Sequence, residues 1–233
     1  CFFSETVMSF SFIVLFPVLI YAESSLTAES CTEYAHSAAM RQETQPLATL
    51  FHQESDASRI KVSDYAYALA PHSGRIAALA RSGYTRIDSV DQPPRSLLPH
   101  KSLYLAKTHC GGVEKLTPIY SMIAKAAYGR KTYWVFDDAS KNGARTNGDT
   151  PDVTLGFCAR ENGTCGASEQ ISHYHSDLWD SDAYAWTQAG HQHFKALGHF
   201  RFVRPLPCFI WKPISTRKSH DEHYKDCLNG KRQ

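Results

Sequence analysis

Six cysteines downstream of one short apolar leader constrain this chain more than any other feature. Met8 is followed by an almost unbroken apolar run through Phe10, Ile13, Leu15, Val18 and Ile20 that ends at the small residue Ala22 before polar Glu23. A bilayer span needs about 20 apolar residues, and this run falls short of that. It reads as a secretory signal peptide cut near Ala22, with Met8 as initiator and residues 1–7 as upstream sequence. Export places Cys31, Cys110, Cys158, Cys165, Cys208 and Cys227 in an oxidising compartment. An even set there predicts three disulfides. No two of them have zinc-ribbon spacing, so disulfides and not a metal account for them. Asn162-Gly163-Thr164 is an N-glycosylation acceptor in a turn-rich, surface-loop setting.

The 233 residues suit one domain with extensions or two small domains, and a formal net charge of +2 does not by itself call for nucleic acid. The distribution of charge says more. Nine acids stand against three basic residues from Asp137 to Asp182, whereas eight basic residues stand against three acids from Arg201 onward. That basic end is suited to phosphate or an anionic surface. The organisation expected is a leader over 1–22, an N-terminal arm over 23–60, a core over 61–158 and a Cys- and aromatic-rich extension over 159–233. No internal repeat is evident.

Local patterning gives an α+β chain. A helix is expected over 31–41, and Leu47, Leu50 and Phe51 fall at helical spacing. Residues 61–70 alternate as a strand through Tyr65, Tyr67 and Leu69. A short helix over 74–82 has Ser73 as its N-cap, Ile76, Leu79 and Ala80 as its apolar stripe and Gly83 as its left-handed cap. Residues 97–105 read as a strand, residues 116–127 as a strand in their first half, and residues 131–137 as the clearest strand of all. Asn142-Gly143 signals a hairpin, with 153–157 returning.

The order of these landmarks resembles the small fungal guanyl-specific ribonucleases and the ribonuclease-like secreted effectors of powdery mildews. The matching residues are Asp64-Tyr65 on the first strand, the helix closed by Gly83-Tyr84, and Leu98-Pro99-His100-Lys101 at the family's spacing of sixteen residues from Tyr84 to His100. Pro118-Ile119, Tyr133-Trp134-Val135-Phe136 and Phe157-Cys158 follow in the family's order. The match covers about 95 of 233 residues. The resemblance implies one helix packed on a curved antiparallel sheet, and chemistry by general acid–base cleavage of RNA. It places the family's histidine at His100. The family's glutamate falls on Leu116, its arginine on Tyr133 and its second histidine near Asn147, so the catalytic set is broken. Glu114 and Arg145 lie close in sequence to the missing groups. The resemblance also implies that Cys158 closes the sheet to the N-terminal segment through Cys31, leaving Cys208–Cys227 and Cys110–Cys165.

The expected function is therefore a secreted ribonuclease-fold protein without useful catalysis that binds RNA or a host protein. His100, Lys101, Arg145 and the basic end would contact phosphates. One alternative is an active endoribonuclease built on His100, Glu114 and Arg145. Another is an unrelated secreted glycan- or metal-binding protein. His173 and His175, with Asp177, Asp180 and Asp182 nearby, and His191 with His193 could ligate zinc or copper. His220 and His223 are spaced for one helix face. Each is read as an ordinary surface pair, so no metal and no cofactor is assigned. Trp179, Tyr184, Trp186, Phe194, Phe200 and Phe202 are read as core.

Overall fold

The computed structural model describes residues 27–55, 61–69, 72–86, 96–97, 102–126, 129–212 and 218–231. The leader, with its signal-peptide reading, lies outside them, as do His100 and Lys101. The chain is α+β. Helix α1 (Ala28–Glu43) leads into a hairpin of β1 (Gln45–Ser55) and β2 (Lys61–Leu69). Helix α2 (Ser73–Arg81), the short strands β3 (Thr85–Arg86) and β4 (Ser96–Leu97) and helix α3 (Leu103–His109) follow. Then come β5 (Leu116–Ala126), β6 (Gly129–Val135), α4 (Asp138–Thr146), β7 (Thr150–Ala159), β8 (Glu169–Ser176), β9 (Ser181–Ala185), α5 (Gln188–Leu197), β10 (Arg201–Ile210) and α6 (His220–Leu228). A small sheet is ordered β2-β1-β3, with β4 also on β1, and a six-stranded antiparallel sheet is ordered β6-β5-β7-β10-β8-β9.

Leu47, Leu50 and Phe51 form a strand rather than a helix, because β1 pairs along its whole length with β2, Leu47 opposite Leu69 and Phe51 opposite Tyr65. Apolar spacing alone does not separate the two states when a partner strand is present. Under α2, Ile76, Leu79 and Tyr84 pack on Ala48, Leu50, Ala66 and Ala68. The expected stripe and the left-handed Gly83, at φ +87°, are both present. The cap is not: the helix begins at Ser73 itself, after His72, with no side-chain cap bond. The strand expected over 97–105 is replaced by β4 and α3. Leu103, Leu105 and Ala106 pack toward Met40 and Trp211 at helical spacing, and the local Leu, Ala and Lys residues favour a helix.

The Asn142-Gly143 hairpin also gives way. Both residues lie inside α4. Strands β6 and β7 do not pair with each other but flank β5 on either side, so they run parallel. A parallel connection needs a crossover, usually a helix. Asp137 starts that helix by accepting from Ser140 N at 2.6 Å.

The six-stranded sheet contains a repeat not evident in the sequence. Strand, strand, helix, strand occurs first as β5-β6-α4-β7 and again as β8-β9-α5-β10. Each unit has the same internal order, and the two are joined edge to edge between β7 and β10. Cys158 and Cys208, 50 residues apart, are bonded across this seam. The same offset relates the helix caps Asp137 and Thr187, which accept from Ser140 N and Gly190 N. It also relates the left-handed glycines Gly148 and Gly198. Strand β10, from the stretch read as an extension, is thus central to the sheet.

The disulfides are Cys31–Cys227, Cys110–Cys165 and Cys158–Cys208. All six cysteines are paired, and Cys110–Cys165 is as expected. The Cys31–Cys158 and Cys208–Cys227 pairings are not formed, because β7 meets β10 at the seam while α1 packs on α6.

Register shifts in the β5–β7 and β10–β8 ladders bend the sheet, as bulges do. They also accommodate Pro205 within a paired strand. The curl brings the two outer strands together. The Trp134 ring of β6 stacks on the Tyr184 ring of β9 at 3.9 Å. Trp134 N donates to Tyr184 Oη at 2.8 Å, and Tyr184 N donates to Tyr67 Oη at 2.9 Å. Two tyrosine hydroxyls thereby satisfy edge N–H groups that would otherwise be buried unpaired. The main core, including Tyr65, Tyr67, Ile119, Leu155, Ile171 and Ile210, fills the curl.

Asp64 is buried beside this closure. It accepts from Tyr84 Oη at 2.5 Å and Tyr65 N at 2.9 Å. Burial raises its carboxyl from 3.8 to about 6, against the opposing pull of those hydrogen bonds. A carboxyl raised in the folded state binds its proton more tightly there than in the unfolded chain. Its contribution is complete below 3.8 and is lost as pH rises through about 6. Two pK units correspond to about 3 kcal/mol. Asp64→Asn is therefore expected to be more stable than the parent by up to about 3 kcal/mol at pH 8, with the difference vanishing near pH 4. Urea unfolding of both proteins across that range checks it; a constant difference would refute the burial argument.

Candidate functional site

Glu114 sits on the 3-10 turn Val113–Lys115, just ahead of the strand that carries Leu116. Arg145 occupies the last turn of α4. Both are exposed, and no hydrogen bond or ion pair joins them among the described residues. Leu116 is buried, Tyr133 Oη donates to Asp149 Oδ2 at 2.5 Å, and Asn147 caps the C-terminus of α4. Asn162 is exposed in a turn, a setting open to modification.

A different set of groups converges on the inner face of the sheet. Strand alternation puts His173 and His175 on one face of β8. Register then places Arg204 of β10 and Tyr184 of β9 on either side of His173, and Asp182 opposite His175. His173 Nε2 lies 2.6 Å from Asp182 Oδ1, and His175 Nδ1 lies 3.1 Å from the same oxygen. Lys131 Nζ is 2.6 Å from Asp180 Oδ1 and 3.8 Å from Asp182 Oδ2. Burial acts to raise the Asp182 carboxyl. The hydrogen bonds from His173 and His175 and the charge of Lys131 outweigh it, so the carboxyl titrates below its ordinary value. Asp182 is an anion held among three donors.

Of these groups, His173, Asp182, Tyr184 and Arg204 border a groove of about 480 Å³ lined also by Tyr133, Trp134, Phe136, Ser140 and Pro205. His173 stacks on Tyr184, which stacks on Trp134, so the imidazole plane is fixed from behind. With Nε2 engaged by Asp182, the Nδ1 edge is left to exchange a proton or meet a ligand. Trp134 Nε1 is buried with no partner among the described residues, a cost a native site carries when a ligand or water supplies the acceptor. The Arg204 guanidinium is exposed and makes no ion pair among the described residues. A phosphate or carboxylate would satisfy the guanidinium.

The sequence marked His173, His175 and Asp182 as groups that could ligate a metal but read them as a surface pair; the structure joins both imidazoles to one Asp182 oxygen. Among the described residues, no group of three or more His, Cys, Asp or Glu side chains is placed to hold a metal ion. Arg204 was counted only within the basic end from Arg201 onward and not singled out; register assigns it to His173 on the neighbouring strand.

A second cavity, about 600 Å³, lies between α5 and the opposite face of the sheet. It is lined by Tyr174, Trp186, Gln188, His191, Gln192 and Phe202. Tyr174 Oη and His191 Nδ1 are 2.7 Å apart, and burial lowers the His191 pKa. This cavity lacks the arginine and the carboxylate-backed imidazole of the groove. Comparison with known proteins gives no assignment: no family model, no curated protein and no solved structure matches the chain.

Proposed function

We propose that this chain is an exported, disulfide-stapled protein that binds single-stranded RNA in the His173–Arg204 groove and does not turn it over efficiently. The observation that carries the reading is the set of unengaged donors at one groove: Arg204, Trp134 Nε1 and the imidazole of His173 backed by Asp182. An arginine fork matches phosphate geometry. The complete pairing of six cysteines supports an oxidising destination. The curved antiparallel sheet and the Asp64–Tyr84 bond between two landmark residues support the resemblance to the ribonuclease-like secreted proteins.

Turnover of RNA needs a base, an acid for the leaving oxygen and a cation for the developing charge. His173 can serve as one proton-transfer group and Arg204 as the cation. His175 is held at both ring nitrogens, by Asp182 and by Asp177 at 3.3 Å, so no second free imidazole serves as the acid. The lack of a general acid costs about 10²–10⁴ in rate.

Fluorescence anisotropy with a labelled single-stranded RNA tests this. Binding is expected to be saturable and to weaken steeply with salt. Arg204→Ala should weaken it about 10–100-fold, as loss of a charged hydrogen bond does, and flatten the salt dependence by about one phosphate contact. Unchanged affinity in that variant would refute the groove assignment. Rapid cleavage abolished by His173→Ala would make the protein an enzyme.

A further inference from the structure

The cavity between α5 and the sheet comes from particular residues and not from the fold. The first unit has the same elements, and there the corresponding place is filled. Tyr120 Oη donates to Asp138 Oδ1 at 2.8 Å, and Lys141 Nζ lies 4.0 Å from the centre of the Tyr120 ring. The 50-residue offset that relates the helix caps Asp137 and Thr187 carries Asp138 to Gln188 and Lys141 to His191. Tyr120 pairs with Val135 as Ser172 pairs with Ala185, so a serine stands where the first unit has a ring. The second unit keeps a cavity of about 600 Å³ in that place, within the roughly 300–1,000 Å³ of small-molecule sites.

One wall of the cavity is aromatic. Phe202 is 53% exposed rather than core, and the buried Tyr174 ring meets it edge-on at 5.7 Å. The Phe202 ring is thus braced by a fixed neighbour and open to solvent. The other wall is polar. Gln188, His191, Gln192 and Lys195 recur at i, i+3, i+4 and i+7, which puts them on one face of α5. From β8, Gln170 Nε2 donates to Leu206 O at 3.0 Å, which holds that amide and leaves its Oε1 to accept. Tyr174 Oη lies 2.7 Å from His191 Nδ1. Burial raises the tyrosine pKa and lowers the imidazole pKa, so the hydroxyl donates to a neutral ring and Nε2 carries the N–H. That N–H is left to donate to whatever enters.

These walls select a class of ligand. Each amide offers N–H donors and a C=O acceptor, and a sugar hydroxyl both donates and accepts. A pyranose ring also presents a face of C–H groups, which packs against the negative face of an aromatic ring. A phosphate chain needs a row of cations, and Lys195 is the one lysine or arginine that lines the cavity. Glu169 at the rim is already paired with Lys212 at 3.0 Å.

We propose that this cavity binds a neutral oligosaccharide, with one pyranose ring lying on Phe202 and its hydroxyls held by Gln188, His191 and Gln192. The site uses the face of β8 that carries Tyr174, opposite the face that carries His173. It is therefore independent of the groove and its RNA reading.

Isothermal titration of the full mature protein with cellohexaose, laminarihexaose, chitohexaose and mannohexaose tests it. Saturable binding of at least one is expected. Phe202→Ala should weaken that binding about 30-fold, as loss of an aromatic anchor does. Gln192→Ala should weaken it about 2–10-fold, as loss of one hydrogen bond does. His72→Ala, on an exposed residue outside the cavity, should bind as the parent does. Saturating the aromatic protons of the unmodified protein should transfer magnetisation to the ring C–H protons of the bound sugar, a readout that does not depend on whether a variant folds. Absence of binding to all four sugars, absence of that transfer, or full affinity in both Phe202→Ala and Gln192→Ala would each overturn the assignment. RNA binding weakened by Phe202→Ala, with no sugar bound, would give the cavity to nucleic acid instead.

Discussion

Replacing Cys158 and Cys208 together by alanine is expected to cost about 4 kcal/mol of stability. A bond closing a loop of 50 residues restricts the unfolded chain by about that amount. The location of the bond is the structural reason for the full cost. The two units of the large sheet meet at β7 and β10, where register is kept by the single pair Phe209 and Ala159. Elsewhere the ladders within each unit are long. The disulfide lies beside that one pair and is fully buried, so it fastens a seam with little backbone pairing of its own. Urea unfolding of the double variant should show a lowered midpoint. Exchange of the β7 and β10 amides should rise before that of β5 and β6. A loss below about 1 kcal/mol, with the seam amides still protected, would show that side-chain packing alone holds the units together.

Trp134→Ala is expected to cost about 3–5 kcal/mol, the range for truncating a buried aromatic, and to open the curl of the sheet. Trp134 and Tyr184 are each 5% exposed. Their stacked rings join the outer strands β6 and β9, and the Tyr67 ring packs edge-on against Trp134 at 4.7 Å. The alanine variant removes the stack on which Tyr184, and then His173, rests, so RNA binding should fall with stability. Tyr184→Phe separates the two contributions. It keeps the ring but leaves Trp134 N–H buried without its acceptor, at about 1–3 kcal/mol. Thermal unfolding of both variants checks the order. If Tyr184→Phe were as damaging as Trp134→Ala, the hydrogen bond and not the stack would be what closes the sheet.

Some of the groove was visible before the fold. The alternation His173-Tyr174-His175 and the acidic turn after it marked a chemical cluster. The spacing could not say whether the carboxylate would share a metal or a proton with the histidines. Lys131, 42 residues from His173 in sequence, lies against Asp180 and Asp182, a neighbour that local spacing could not name.

The sequence by itself determined what depends on neighbours along the chain. The alternation through Tyr65, Tyr67 and Leu69 became β2. The aromatic run at Tyr133 and Trp134 became β6. The stripe of Ile76 and Leu79 closed by Gly83 became α2, and an even set of cysteines became three disulfides. Tertiary structure decided which cysteine meets which, that Asn142-Gly143 lies within a crossover helix, that two units offset by 50 residues form one sheet, and that Arg204 faces His173. Side-chain periodicity and turn chemistry act over a few residues, and so they are written locally. Strand order, disulfide partnership and the groove depend on which distant apolar faces bury one another, and that competition is resolved only when the whole chain packs.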